Sequence, residues 1–320
     1  MNYKPILIVA GEPNSIFLEI YFKCIKKKIK SPLVLIVSNK ILNLQMKKLK
    51  FKKKIKELKI NKINEYKLDN KSINIINIDY EQKFAFEKIS KKSKNYIEKS
   101  FSLATKLIKQ GFTDKFINGP VSKKNFLNKK FLGITEYISK KFEIQNSAML
   151  IYNNKLSVCP ITTHLPLKLV HKEINKKVIC NKIELIDKFY KKRFNISPKI
   201  GVLGLNPHCE STLNLNEDEK ILKPAVKKLV NKKIHVSGPH SSDTIFLKNN
   251  RVKFDVIVGM YHDQVLTPIK TLFEYDAINL TIGLPFIRIS PDHGPNENML
   301  GKNISNPLSL MRAISFLDKN

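Results

Sequence analysis

Three of the seven histidines come shortly after short, apolar, β-branched runs of the sequence. They are His164, His208 and His262. Because the carboxyl ends of parallel strands meet at one edge of a sheet, we expect the three imidazoles to lie at the same edge. Neutral imidazoles bind Zn²⁺, Co²⁺ and similar divalent ions, and three of them leave coordination positions open for a substrate. The pattern therefore predicts a metal site, although each histidine taken singly is also typical of a structural hydrogen-bonding residue.

Two aspartates accompany this predicted metal site. Asp263 directly follows His262, and Asp243 lies in the segment Gly238-Pro239-His240-Ser241-Ser242-Asp243-Thr244. A carboxylate that accepts a hydrogen bond from the non-ligating nitrogen of a histidine fixes its tautomer and orientation. We therefore expect both aspartates to support catalysis, with a helix cap as the alternative for Asp243.

An anion-binding group is predicted near the end of the chain. Arg288 lies in the apolar run 284–290 and is one of only four arginines among 58 basic residues. A guanidinium at such a position favours a bidentate grip on a carboxylate or phosphate, with a buried ion pair as the alternative. Lys270 and Asn279 flank the predicted strand that leads into this run. The turn Gly119-Pro120-Val121-Ser122-Lys123 also offers free N–H groups to an anion.

The elements that position these residues form an alternating pattern. Apolar runs predict strands over 5–10, 32–37, 73–78, 148–152, 158–163, 199–205, 255–259 and 278–283. The segments between them predict helices, for example over 16–28, 84–110, 177–194 and 218–231. Short strands separated by longer helices are typical of an α/β protein with a largely parallel sheet.

Composition narrows the class of protein. The chain has 320 residues, 42% of them hydrophobic, and no apolar run long enough to span a membrane or to form a secretory signal. Its four scattered cysteines favour a reduced, cytoplasmic location. The net charge of +31 comes from lysine far more than arginine, the residue that phosphate and base recognition favour. We therefore expect neither a nucleic-acid nor a membrane partner.

Common cofactor and nucleophile motifs are absent. The sequence contains no GxGxxG, no GxxxxGK[ST] and no GxSxG. Their absence argues against an ordinary Rossmann loop, a P-loop and a serine-hydrolase elbow.

A set of ordered segments nevertheless resembles a known family. The segments are Gly11-Glu12-Pro13, Gly119-Pro120-Val121-Ser122-Lys123, Gly133-Ile134-Thr135-Glu136, Thr162-Thr163-His164-Leu165-Pro166-Leu167, Gly204-Leu205-Asn206-Pro207-His208, Gly238-Pro239 with Asp243-Thr244, Tyr261-His262-Asp263-Gln264, the run 279–288 and Asp292-His293-Gly294. Together they resemble the 4-hydroxythreonine-4-phosphate dehydrogenases of vitamin B6 biosynthesis. The resemblance extends from about residue 5 to residue 315.

This resemblance implies an architecture. It implies a two-lobed fold like that of isocitrate and isopropylmalate dehydrogenases, with largely parallel sheets and a cleft between the lobes. These enzymes bind NAD or NADP without GxGxxG. We expect one lobe over 1–125 plus 290–320 and a second over 126–289, which would carry the metal and substrate residues. The resemblance also implies a homodimer with its active sites at the subunit interface.

The resemblance implies roles for particular residues as well. His164, His208 and His262 would bind zinc, cobalt or magnesium, with His262 reaching in from the partner subunit. Thr135, Lys270, Asn279 and Arg288 would contact the substrate, and the catalytic residues would be Lys270, Asp243 and Asp263. The implied reaction oxidises 4-phosphooxy-L-threonine with NAD or NADP and then decarboxylates it to 3-amino-2-oxopropyl phosphate. No residue is assigned to the dinucleotide.

Several positions depart from the family pattern. Ser15 and Phe17 replace glycines, Ile134 replaces a histidine, and Pro295 stands where threonine is usual. Where the loop requires a positive φ or a close approach, Ser15 and Phe17 would strain or fill it. Two alternatives therefore stay open: a related dehydrogenase of 4-phosphorylated threonate or erythronate, and a catalytically impaired homologue.

Overall fold

The computed structural model describes residues 3–127, 131, 133–211, 216–291 and 293–318, and it divides them into two compact units. The first unit contains residues 1–142 and 285–320, and the second contains residues 143–284. The sequence predicts boundaries at residues 125 and 289, which would place Thr135 and Arg288 in the second lobe. In the structure both residues belong to the first unit. Asp292 lies outside the described residues.

The first unit is built on a parallel sheet. Its strands are β1 (Ile6–Val9), β2 (Leu33–Val37), β3 (Ile55–Glu57), β4 (Ile73–Asn77), β5 (Lys115–Asn118) and β12 (Ile287–Pro291), in the spatial order β3-β4-β2-β1-β5-β12. Every pairing within this set is parallel. All residues of β1 and β2 are buried, as expected when helices cover both faces of a parallel sheet.

Helices connect these strands. They are α1 (Phe17–Cys24), α2 (Asn39–Lys48), α3 (Ser93–Lys109), α4 (Ile134–Lys141) and α10 (Leu308–Leu317), with 3₁₀ turns at Ile60–Glu65 and Glu297–Met299 and a π turn at Lys123–Leu127. Ser38 is the N-cap of α2, and its side chain accepts a hydrogen bond from the Ile41 amide. The predicted helix over 84–110 is shorter in the structure, where it begins at Ser93.

The second unit has a mixed sheet. Its strands are β6 (Ala148–Tyr152), β7 (Ser157–Pro160), β8 (Ile200–Leu203), β9 (Val236–His240), β10 (Val256–Gly259) and β11 (Ile278–Ile282), in the order β11-β6-β7-β10-β8-β9. β10 pairs in parallel with β7 and β8, and β8 with β9, whereas β6 is antiparallel to both of its neighbours. The predicted α/β class with largely parallel sheets is confirmed.

The helices of the second unit are α5 (Leu167–Glu173), α6 (Lys176–Phe194), α7 (Lys223–Asn231), α8 (Lys248–Arg251) and α9 (His262–Phe273), with a 3₁₀ turn at Pro207–Cys209 and a π turn at Asp218–Leu222. Val265, Leu266 and Ile269 of α9 pack into the core with Val158 and Ile257 of the sheet. This packing fixes where α9 begins, and therefore where His262 lies. Among the described residues, no helix combines the length and apolar character that crossing a membrane requires.

Candidate active site

Two of the predicted metal ligands lie side by side in the second unit. His164 follows β7, and His262 is the first residue of α9, directly after β10. Because β7 and β10 are adjacent and parallel, their carboxyl ends meet, and the two imidazole centroids are 5.7 Å apart with an interplanar angle of 35°. The rings are thus close enough for both side chains to face one small ligand.

The third histidine is held in an unusual conformation. His208 lies in the 3₁₀ turn after β8, with φ 54° and ψ 14°, and the next residue, Cys209, has φ 63°. Left-handed backbone costs a non-glycine residue on the order of 1–3 kcal/mol and persists only where surrounding contacts impose it. Within the described part of this single chain, no three His, Cys, Asp or Glu side chains come close enough to hold a metal ion. His208 therefore does not complete a three-ligand group with His164 and His262 of the same chain.

Asp263 contacts His262, whereas Asp243 makes its hydrogen bond within its own segment. Nδ1 of His262 is 2.6 Å from Oδ1 of Asp263, which favours a proton on Nδ1 and leaves Nε2 as an acceptor for a ligand. The Ser241 hydroxyl donates to Asp243 Oδ1 at 2.6 Å. This hydrogen bond, with a smaller contribution from His208, lowers the pKa of the Asp243 carboxyl.

The predicted substrate residues of the second unit lie on α9 and β11. Lys270 is exposed and lies eight residues after His262 on α9, about 12 Å further along the helix axis. Asn279 is half-buried on β11; its Nδ2 lies 3.6 Å from the Met149 sulfur, and its buried Oδ1 has no hydrogen-bond partner within the described structure. An unsatisfied buried amide oxygen is costly, and a ligand N–H would satisfy it.

The first unit brings together two other predicted substrate residues. Arg288, on β12, is fully buried, and its Nη1 donates to Thr135 Oγ1 in the first turn of α4 at 3.0 Å. Its Nε donates to Asn118 Oδ1 at 2.7 Å. Burial lowers the pKa of Arg288 to about 9, and the nearby Glu136 carboxylate opposes that change. Two neutral acceptors, Asn118 and Thr135, are thus among the groups that hold the guanidinium.

Asn118 is a residue that sequence reasoning missed. It is the last residue of β5 and immediately precedes the predicted Gly119-Pro120 turn. Its side chain is 1% exposed. A polar residue at the carboxyl end of a buried parallel strand was the available signal, since ligands collect at that edge.

Three of the altered family positions, Ser15, Phe17 and Pro295, belong to neighbouring segments of the first unit. The Ile16 amide donates to the Pro295 carbonyl at 3.1 Å, and the Phe17 ring lies 6.3 Å from that of His293. Neither Ser15 nor Phe17 has a positive φ. The strain considered for these two residues is therefore not present, and Phe17 instead fills its space as a fully buried side chain.

Comparisons with known proteins identify the family of this chain. The family model described as pyridoxal phosphate biosynthetic protein PdxA matches residues 28–317. The chain belongs to the PdxA family. A 4-hydroxythreonine-4-phosphate dehydrogenase of Sulfurihydrogenibium sp. is 38% identical over 317 residues, which cover 97% of this chain and 96% of the relative.

Solved structures of the PdxA family share the fold. The 4-hydroxythreonine-4-phosphate dehydrogenase of Klebsiella pneumoniae superposes with a TM-score of 0.85 and 27% identity, covering 98% of this chain and 97% of that one.

A D-threonate 4-phosphate dehydrogenase of Pectobacterium atrosepticum is 35% identical over 214 residues, 66% of each chain. The predicted family and the predicted enzyme class, an oxidoreductase of the PdxA type, are confirmed.

Proposed function

We propose that this PdxA-family enzyme oxidises 4-phosphooxy-L-threonine with NAD or NADP and decarboxylates the product. The first step removes a hydride and a proton from the secondary alcohol, giving 2-amino-3-oxo-4-phosphooxybutanoate and the reduced dinucleotide. Loss of CO₂ then yields 3-amino-2-oxopropyl phosphate, in the pathway to pyridoxal 5′-phosphate. Membership of the PdxA family is the observation that carries the proposal, and it is supported by the histidines at the carboxyl ends of β7 and β10 and by Asp263 on Nδ1 of His262.

The donor chemistry of the histidine residues fits a divalent metal ion. His164, His208 and His262 would hold it, and nitrogen ligands suit zinc or cobalt better than magnesium. A metal ion bound there supplies Lewis-acid stabilisation of negative charge on a substrate oxygen. Asp263 keeps the proton of His262 on Nδ1, so that Nε2 offers a lone pair. The left-handed backbone of His208 is typical of a strained functional residue.

The remaining polar residues would bind and orient the substrate. Arg288 and Lys270 offer positive charge to its phosphate and carboxylate groups. Asn279 offers a buried amide oxygen, Oδ1, to an N–H donor, and the substrate ammonium is such a donor. Thr135 holds the Arg288 guanidinium through Oγ1.

We further propose a cytoplasmic homodimer in which His262 of one subunit serves the site of the other. Support for the dimer comes from the described part of the single chain, which by itself brings no three metal-binding side chains together. The four buried cysteines, all of them free thiols, support a reducing compartment.

A 4-phosphorylated threonate is the second candidate substrate. The relative from Pectobacterium atrosepticum favours it, and so does Ile134, which stands where the family pattern has a histidine. The two substrates differ at C2, where the amino acid has an ammonium and the threonate a hydroxyl. Both groups can donate to Asn279 Oδ1, and the charged ammonium forms the stronger hydrogen bond, so Asn279 favours the amino acid.

The test is formation of NADH or NADPH from 4-phosphooxy-L-threonine, with 4-phospho-D-threonate as the competing substrate. We expect zinc- or cobalt-dependent turnover of the amino acid, and its loss in His208→Ala. Asp263→Asn, which keeps the size of the side chain but weakens its hold on Nδ1 of His262, should reduce zinc affinity by roughly 10- to 100-fold. Preference for the threonate would overturn the substrate, and turnover without any metal would overturn the proposed role of the histidines.

A further inference from the structure

The side-chain amide of Gln264 joins three loops at the carboxyl edge of the second unit's sheet. Its Nε2 donates to the Gly204 carbonyl at 2.7 Å and to the Ser242 hydroxyl at 2.8 Å. Its Oε1 accepts from the Met260 amide at 2.6 Å. Gly204 follows β8, Ser242 follows β9 and Met260 follows β10. One side chain therefore ties together the ends of three strands.

Each of these loops carries a residue of the candidate site. Gly204 begins the segment that ends at His208, Ser242 directly precedes Asp243, and Met260 lies two residues before His262. None of these three site residues bonds to Gln264 itself. Any effect of Gln264 on them must act through the backbone that it holds.

Asp218 also anchors the segment from Gly204 to His208. This carboxylate is fully buried; its Oδ1 accepts from the Leu205 amide at 2.8 Å, and its Oδ2 accepts from the Asn206 amide at 3.0 Å. Gln264 binds the carbonyl oxygen of Gly204 just before these amides. Two anchors on successive backbone groups are the kind of over-determined surrounding that can hold His208 in the left-handed region.

The chain also leaves space for this amide. A Cβ on Gly259 would lie 2.9 Å from Gln264 Oε1 and 2.5 Å from Val265, so the glycine lets α9 begin close against β10. Only an asparagine or glutamine amide presents two N–H donors and a carbonyl acceptor on one neutral group. Glutamate at this position would lose both donors, and methionine would lose the donors and the acceptor.

We propose that Gln264 is a positioning residue that fixes the mutual placement of the segments carrying His208, Asp243 and His262. The link from this placement to a bound metal ion rests on the proposed function. Gln264→Met keeps the length of the side chain and removes all three hydrogen bonds. Since supporting interactions around metal ligands change metal affinity by about 10- to 100-fold, we expect zinc to bind at least about 10-fold more weakly to this variant.

A matched control is available in the first unit. Gln45 is fully buried on α2, and its Nε2 donates to the carbonyls of Pro13 at 2.8 Å and Ala85 at 3.1 Å. Gln45→Met therefore removes buried amide hydrogen bonds of the same kind without touching the second unit. It should lower the free energy of unfolding and leave zinc affinity as in the wild type.

Two measurements test the proposal on the full-length protein. Zinc affinity is measured by competition with a chromophoric chelator for the wild type, Gln264→Met, Gln45→Met and His208→Ala. Amide hydrogen exchange is measured without metal over residues 204–211, 240–244 and 260–263. We expect Gln264→Met to weaken zinc binding and to speed exchange in all three segments, whereas Gln45→Met changes neither.

The outcomes separate this inference from the proposed function. If Gln264→Met binds zinc with wild-type affinity, the positioning role is overturned, whether or not amide exchange becomes faster. His208→Ala reports on the metal site in either case. If the wild type binds no zinc and Gln264→Met still exchanges faster, the result supports Gln264 as the anchor of the loops and contradicts the proposed metal chemistry. Unchanged exchange in all three segments would overturn the inference whatever the zinc affinity.

Discussion

Asn118→Ala tests whether the buried Arg288 is held in place for an anion. The Arg288 guanidinium is 0% exposed, and Asn118 accepts its Nε–H at 2.7 Å. The alanine variant removes this acceptor while Thr135 Oγ1 still accepts from Nη1. A charged donor inside the protein would then lose this acceptor.

The size of the effect follows from the kind of bond that is lost. A hydrogen bond to a charged group contributes about 1.5–3 kcal/mol, so we expect the free energy of unfolding to fall by about 2 kcal/mol. If the guanidinium also turns from its position, kcat/KM for the phosphorylated substrate should fall roughly 10- to 100-fold, which corresponds to about 1.4–2.7 kcal/mol.

The assay combines urea unfolding with steady-state formation of the reduced dinucleotide. Asn74→Ala is the matched control, because Asn74 is 1% exposed on β4 and its Nδ2 donates to the carbonyls of Leu33 at 3.0 Å and Asp69 at 2.6 Å. The control should lose stability by a similar amount and keep the wild-type kcat/KM. Thr135→Val, which removes a second acceptor of Arg288, should resemble Asn118→Ala in its kinetics.

One result would refute this reasoning. If Asn118→Ala loses stability like the control but keeps the wild-type kcat/KM and KM, then the orientation of the guanidinium does not matter for the substrate. Arg288 would then be a structural residue of the first unit, and the buried-ion-pair interpretation of its sequence context would take the place of anion binding.

Two further predictions concern the first unit. Burial raises the pKa of the Glu12 carboxyl above its ordinary value of 4.5. Above pH 4.5 the unfolded chain therefore releases a proton that the folded protein still holds. The free energy of unfolding falls as pH rises from 4.5 to the raised pKa of the folded protein. In urea unfolding, Glu12→Gln should therefore gain stability relative to the wild type as pH rises above 4.5, and a pH-independent difference would contradict this. Phe17→Gly, which restores the glycine of the family pattern, should lower the free energy of unfolding by roughly 3–5 kcal/mol, because the ring is fully buried. A loss below about 1 kcal/mol in calorimetry would show that the loop closes over the missing ring.

The short apolar strands were predictable because their side chains are buried on both faces. The predicted strand over 148–152 coincides with β6, and those over 5–10 and 32–37 contain β1 and β2. β3, β5, β9 and β12 were missed because they are short or carry polar residues; β9, for example, has the sequence VSGPH. Their strand conformation depends on pairing with distant neighbours, which local hydrophobicity does not record.

Residue types and their positions at strand ends were enough to select His164, His262 and Arg288 as candidates for chemistry, because those signals are local. The partners of these residues were decided by the tertiary structure. Arg288 and Asn118 are 170 residues apart in the chain, and the order of strands brings β5 beside β12. Likewise, the pairing of β7 with β10 sets His164 against His262, and the loop that holds His208 in the left-handed region is anchored by Asp218 and Gln264 from other elements. Sequence alone therefore determined which side chains this enzyme has at its strand ends, and the packing of non-local strands determined which of them meet.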